Sequence, residues 1–353
     1  MGRRACTSER GANFMKGIIC EDIGRFVVRE DLPEPQIGEG EAIVKIRRVG
    51  ICGTDLHAYR GNQPYFTYPR ILGHELSGTI EHIGENREGF RAGDQVSVIP
   101  YLHCGQCRAC RSGKTNCCQQ MKVLGVHIDG GMRERVAVPI SHLIRTEGLT
   151  LDQSAMLEPL AIGAHAVRRS GLKAGDEVLV IGAGPIGLGV MAMAGYAGAK
   201  VIAMDVNEER LEFCKVWAKA EHTVNALQAP KEWLANHTDG SFPTFVIDAT
   251  GNAASMESAF GLVGHGGTLT FVGLVKNTIT FNDSDFHARE MTVQGSRNAT
   301  REDFVRVLAA VSEGSIDIGS YITHRCAFEE MIDHFEKWLQ PESGVIKALV
   351  ELK

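Results

Sequence analysis

The chain has 353 residues, of which 44% are hydrophobic and 23% charged, the size and composition of a globular protein with two cores. Its net charge of -6 is spread along the chain, which argues against nucleic acid as the main partner. No apolar run reaches the roughly 18 residues a membrane span requires.

Residues 1–14, MGRRACTSERGANF, are basic and lack the apolar stretch of a secretory signal, so they are expected to form a disordered extension without a role. From Met15 to about residue 150 short β segments (AIVKIRRVGI, LSGTIEHIG, DQVSVIP, ERVAVP) are broken by glycine and proline, which points to a barrel-like all-β unit. Inside this stretch Cys104, Cys107, Cys110 and Cys118 follow the spacing C-x2-C-x2-C-x7-C. Four thiolates so spaced can close around one tetrahedral zinc, with Gly113 helping the loop of residues 103–118 fold back. Cys117 competes with Cys118 for the fourth position, and loop spacing favours Cys118. Cys6, Cys20, Cys214 and Cys326 are expected to be free thiols. Clustered thiols without an export signal suit a reducing compartment, so the chain is expected to be cytoplasmic.

Two further residues hint at a second metal. Cys52 follows a strand in GICGTDLH and His74 lies in ILGHE. A catalytic zinc takes three protein ligands and keeps one position open, and Glu158, in MLEPLAIGAHA, is the best candidate for the third. Glu75 is the alternative or exchanging ligand, more readily placed just behind the metal. Asp55 is in reach to orient the His74 ring.

At about residue 155 the pattern changes to apolar strands alternating with helices: EVLVIG, KVIAMD, HTVN, FVIDAT, TLTFVGL and MTVQGS with helical stretches between them. Six such strands predict a doubly wound parallel (Rossmann) sheet. Gly182-Ala183-Gly184-Pro185-Ile186-Gly187 follows the first of these strands and opens a helix, and Asp205 ends the next strand. In that context G-x-G-x-x-G is a dinucleotide-binding turn, with the pyrophosphate on the helix N-terminus. Asp205 would accept from the adenosine ribose hydroxyls and repel a 2′-phosphate, which favours NAD over NADP, and Arg210 lies close enough to reach the same region. After about residue 297 a helix and short β pieces follow, ending in VIKALVEL, and these last strands are expected to return to the first unit.

Taken together, GICGTDLH, GHE, CGQCRACRSGKTNCC, LEPLAIGAHA, GAGPIG and Asp205 resemble the zinc-dependent medium-chain alcohol and polyol dehydrogenases from about residue 15 to 353. The resemblance implies a GroES-like catalytic domain over residues 15–159 and 298–353 and an NAD-binding domain over 160–297. It also implies two zinc ions per subunit, one catalytic and one structural, and a homodimer or homotetramer, for which the TLTFVGL region is the expected interface. Glu158 stands where many family members carry a second cysteine, as in the sorbitol and threonine dehydrogenase branches. Thr54 and His57 fall at the positions of the family's proton relay, although His57 also suits a solvated loop.

RGNQPYFTYPR, TNCC, GVHIDGG, AIGAHAVRR and GSRNAT are similar to a bacterial sugar-acid branch of the family. That similarity implies oxidation of the C5 hydroxyl of a hexonate, L-galactonate to D-tagaturonate. L-gulonate, a hexitol, L-threonine or a secondary alcohol are the alternative substrates. Arg297 falls where polyol dehydrogenases use an arginine near substrate, and a guanidinium suits a carboxylate; an ion pair with Glu290 is the competing role. Asn298, Gln63 and His127 are candidate hydroxyl partners.

Overall fold

The computed structural model describes residues 14–63 and 66–353, so the expected extension over residues 1–14, Cys6 included, lies but for Phe14 outside the described residues. Two sheets organise the molecule. The first is built around Glu41–Ile51, whose Ile43, Val44, Ile46 and Val49 are buried in the β-branched pattern of a strand between two layers. One edge of this strand pairs antiparallel with Glu75–Ile83. Its other edge is shared, by Arg135–Pro139 at the start and Lys347–Glu351 at the end. Ile322–Ala327 runs parallel to Lys347–Glu351 at one margin, and Gln95–Val98 and Leu143–Arg145 close the other. Ile18, Val44, Leu76, Val96, Phe335 and Trp338 pack its core.

The second sheet has six parallel strands in the order His222–Asn225, Lys200–Asp205, Glu177–Ile181, Phe245–Asp248, Thr268–Phe271, Thr292–Gly295. This is the 3-2-1-4-5-6 order of the doubly wound dinucleotide fold, whose ligand crevice lies where the order reverses, between the first and fourth strands. Thr268–Phe271 is paired on both sides, so this strand of the expected interface region offers no free edge to a second chain. The two edge strands of this sheet are His222–Asn225 and Thr292–Gly295. Among the described residues no helix is long and apolar enough to cross a membrane.

The two sheets meet at the helix Leu157–Ser170, most of whose residues are buried and which packs on Pro185–Tyr196 of the second unit. The helix just before it, Leu151–Ala155, is tied to the first sheet by Asp152, which takes Arg48 Nε at 2.8 Å and Arg325 Nη1 at 2.6 Å. This fixes the first turn of Leu157–Ser170, and with it Glu158, against both halves of the molecule.

Candidate active site

The turn between Glu177–Ile181 and Pro185–Tyr196 stands at the reversal of strand order. Gly182 has φ +98°, a conformation glycine takes without strain. A Cβ on Gly187 would lie 1.7 Å from the Gly182 carbonyl oxygen, so only glycine lets the helix start this close to the strand. Gly184 is the N-cap residue and Pro185 the first helical residue, which leaves unpaired N–H groups facing the crevice. Asp205 accepts from Ala183 N at 2.6 Å and from Asn207 N at 2.9 Å. Its carboxylate is thereby held at the C-terminal end of its strand, where ribose hydroxyls would lie. These features fit a dinucleotide.

The Sγ atoms of Cys104, Cys107, Cys110 and Cys118 all lie within 4.8 Å of one another. The Cys107–Cys110 and Cys104–Cys118 sulfur pairs are 3.5 Å apart, close to the roughly 3.8 Å edge of a zinc–thiolate tetrahedron with bonds of about 2.3 Å. Backbone N–H groups of Cys104, Cys107 and Gln120 point at sulfurs of the cluster. Backbone hydrogen bonds pull the Cys107 thiol down to about 6, towards the thiolate a metal needs. Cys117 is exposed and outside the group. The donor set and spacing fit zinc.

A second group assembles at the end of Glu41–Ile51. Ligand atoms of Cys52, His74 and Glu75 lie within 4.8 Å of one another. Cys52 caps the helix Gly53–Tyr59, and Asp55 of that helix accepts from Cys52 N at 2.9 Å and Gly73 N at 3.4 Å. Asp55 Oδ1 approaches His74 Nδ1 to 3.7 Å, beyond hydrogen-bond range, and His74 Nδ1 is buried with no hydrogen-bond partner.

Glu158 is 3% exposed, lies outside that trio and accepts a hydrogen bond from Tyr101 Oη. Burial pushes its carboxyl up to about 7, with His74 opposing and Glu75 adding to the rise. Glu75 is wholly buried; its Oε1 takes Lys347 Nζ at 2.6 Å, while its Oε2 has no partner. Lys347 Nζ also donates to Ile51 O at 3.2 Å. One lysine thus stands among the acids Cys52, Asp55, Glu75 and Glu158, and a divalent cation would offset most of the remaining negative charge. Sulfur, nitrogen and oxygen donors with orphaned buried atoms fit a zinc.

The cleft of about 820 Å³ between the sheets is lined by Cys52, Thr54, His57, Gln63, Pro185, Ile186, Arg210, Thr250 and Lys347. Metal-binding and dinucleotide-binding candidates thus share one space. His127, Arg297 and Asn298 do not line it. Arg297 is exposed, and the Asn298 side chain turns instead to Asn116 O, 3.4 Å away. Among the described residues Arg297 makes no ion pair with Glu290. It does lie near His127: burial, then the Arg297 and Arg70 cations, hold that imidazole below its ordinary value. Arg70 itself pairs with Asp129 at 3.2 Å.

Sequence reasoning missed Tyr101 and Lys347. Tyr101 sits three residues before the first zinc-loop cysteine, and nothing in that spacing marks it. Lys347 carries a signal: a lysine opening the apolar run KALVE, whose first four residues are all buried, needs a buried partner.

Two family models match the chain, the alcohol dehydrogenase GroES-like domain over residues 38–148 and the zinc-binding dehydrogenase over residues 185–313. An L-galactonate-5-dehydrogenase of Escherichia coli K12 is 42% identical over 95% of this chain and 98% of its own length. A 2-dehydro-3-deoxy-L-galactonate 5-dehydrogenase of Pseudoalteromonas atlantica is 32% identical over 88% of this chain and 92% of its own. Among solved structures, an alcohol dehydrogenase from Escherichia coli CFT073 complexed with NADH superposes with a TM-score of 0.89. It is 32% identical, covering 96% of this chain and all of that one.

Proposed function

The chain belongs to the zinc-dependent medium-chain alcohol dehydrogenases, an NAD-dependent oxidoreductase of sugar-acid or polyol type, and from that premise we propose that it oxidises L-galactonate at C5 to D-tagaturonate. The observation that carries this reading is the shared cleft, in which Cys52, Thr54 and His57 line the same space as Pro185 and Ile186 of the dinucleotide turn. Its substrate half rests on the likeness to the Escherichia coli L-galactonate enzyme and on Arg297, an exposed guanidinium without an ion-pair partner among the described residues and so available to a carboxylate.

Cys52, His74 and Glu158 would hold the catalytic zinc, with Glu75 restrained behind it by Lys347. Bound zinc supplies Lewis acidity that lowers the pKa of the substrate hydroxyl, and NAD accepts the hydride. Thr54 and His57 lie three residues apart on Gly53–Tyr59, hence on one helix face. Thr54 is half-buried and His57 exposed, a gradient suited to carrying the hydroxyl proton outward. Gly182, Gly184, Pro185, Ile186 and Gly187 would seat the pyrophosphate, and Asp205 with Arg210 the adenosine ribose. Gln63 would contact substrate hydroxyls from inside the cleft, and Arg297 and His127 would meet the substrate from outside its lining. We assign the protein to the cytoplasm as a homodimer or homotetramer. The free cysteines among the described residues and the edge strand Thr292–Gly295 support that assignment.

The test is NADH formation at 340 nm with L-galactonate, L-gulonate, D-sorbitol, galactitol, L-threonine and 2-butanol. A kcat/KM for L-galactonate at least about a hundredfold above the hexitols, roughly 2.7 kcal/mol of transition-state discrimination, is expected. Turnover confined to hexitols or threonine overturns the substrate assignment.

A further inference from the structure

A buried chain of polar side chains runs from the four-cysteine loop to the Arg297 segment without entering the cleft. Asn116 lies inside that loop, between Cys110 and Cys118, and is 5% exposed. Its Nδ2 stands 2.9 Å from Arg297 O and 3.0 Å from His165 Nε2. On the other side of the ring, His165 Nδ1 is 2.9 Å from Asp303 Oδ2. Asp303 is fully buried and also accepts from Arg168 Nε at 2.7 Å, Arg168 Nη2 at 3.0 Å, Thr300 N at 2.8 Å and Thr300 Oγ1 at 2.9 Å. The loop closes on itself where Asn298 Nδ2 reaches Asn116 O.

His165 Nδ1 faces two groups, Asp303 Oδ2 and, at 3.2 Å, the donor Arg168 Nη2, so the ring's roles are set from its other nitrogen. A carbonyl only accepts, so the Asn116 atom facing Arg297 O must be the NH2 group. His165 Nε2, facing the same NH2, must then accept, which places the ring proton on Nδ1 as donor to Asp303. Asn298, next to Arg297, has φ +52°, a left-handed conformation that asparagine tolerates but that needs surrounding contacts to be populated uniquely. The hydrogen bonds to Arg297 O, from Asn298 and at Thr300 bracket that residue on both sides. Arg297 is itself exposed, so the direction in which its side chain leaves is set by this backbone.

We propose that Asn116 and His165 are positioning residues for Arg297, and that the four-cysteine loop thereby acts in substrate selection as well as in stability. The inference rests on the reading of Arg297 as the carboxylate partner. The loop then has a second role, because its turn carries the donor to Arg297 O among the contacts that hold this backbone.

Asn116→Asp is the sharpest probe, because it keeps the shape and removes the donor, placing an acceptor against Arg297 O. It is expected to raise KM for L-galactonate about tenfold with kcat within about twofold, while galactitol is unaffected, either as substrate or as competitive inhibitor. Zinc content and the NAD dissociation constant, read by metal analysis and by quenching of protein fluorescence, are expected to match the parent enzyme. His165→Gln, which retains an acceptor, is expected to fall between parent and Asn116→Asp.

Arg297→Ala separates the carboxylate role from the positioning role. If Arg297→Ala leaves the hexonate KM unchanged, the reading of Arg297 as carboxylate partner fails. If Arg297→Ala raises it and Asn116→Asp does not, the positioning role fails alone. Equal losses with hexonate and hexitol, or loss of zinc from Asn116→Asp, show a purely structural turn and overturn the proposal. In the double variant Asn116→Asp/Arg297→Ala the KM is expected to equal that of Arg297→Ala, since two residues acting through one contact are not additive.

Discussion

The four-cysteine loop and the Cys52 pocket are both built for a metal, and they are assembled in opposite ways. The loop draws all its donors from residues 104–118, and backbone N–H groups of residues 104, 107 and 120 point at its sulfurs. The pocket draws on residues 52, 74, 75, 101, 158 and 347, which meet only because distant strands of the first sheet, the Tyr101 segment and the junction helix are brought together. A local site can be specified by spacing alone. A dispersed one depends on the whole fold, and its charges are balanced by partners far away in the chain, which is how a site with a reactive, incompletely surrounded metal is held rigid from behind.

The largest contrast comes from removing one ligand on each side. His74→Ala is expected to lower kcat about a thousandfold or more through loss of Lewis-acid stabilisation, with little change in thermal midpoint. Cys110→Ser is expected to do the reverse, losing one zinc per subunit by metal analysis and lowering the midpoint by about 5 °C or more. If Cys110→Ser lost activity at an unchanged midpoint, the division of labour between the two sites would be wrong.

Lys347→Met comes next. It leaves the Glu75 carboxylate buried without its ammonium partner, and urea unfolding is expected to show a loss of about 3–5 kcal/mol. Lys347→Met/Glu75→Leu, which removes both charges, is expected to recover most of that stability; failure to recover would mean that the lysine acts on something other than Glu75.

Tyr101→Phe deletes the hydrogen bond that Tyr101 Oη gives the Glu158 carboxylate and is expected to weaken catalytic-zinc affinity about 10- to 100-fold in chelator competition, leaving the second zinc unmoved. The smallest effect belongs to Cys117→Ser. Exposed and outside the cluster, Cys117 is expected to contribute less than about 0.5 kcal/mol and to leave two zinc ions bound.

The same contrast explains how much the sequence discloses. The four-cysteine spacing, the glycine turn and the six apolar strands are local patterns, and the fold class follows from them because 3.6- and 2-residue periodicities are visible within one segment. Cys52 and His74 are legible through their flanking motifs. Tyr101 and Lys347 are not, because what makes them matter is a partner, Glu158 or Glu75, that no spacing reveals. Asn298 shows the opposite error. Its position beside Arg297 suggested a substrate contact, but a left-handed turn sends its side chain to the Asn116 carbonyl. The TLTFVGL segment makes a related point: apolar content marks a strand as buried, while only the strand order tells which strands are edges.

The Glu75–Lys347 pair also sets an order of events during synthesis. The two residues are separated by 272 positions, so at about 5–20 residues per second the carboxylate leaves the ribosome roughly 14–54 s before its ammonium partner. For that interval Glu41–Ile51 also lacks the strand that covers its metal-facing end. The whole parallel sheet is translated in between, and its units can collapse as they emerge. Completion of the first sheet, and with it the Glu75–Lys347 pair, therefore waits until the parallel sheet has been translated. The reactive centre is withheld until the nucleotide-binding half exists to serve it.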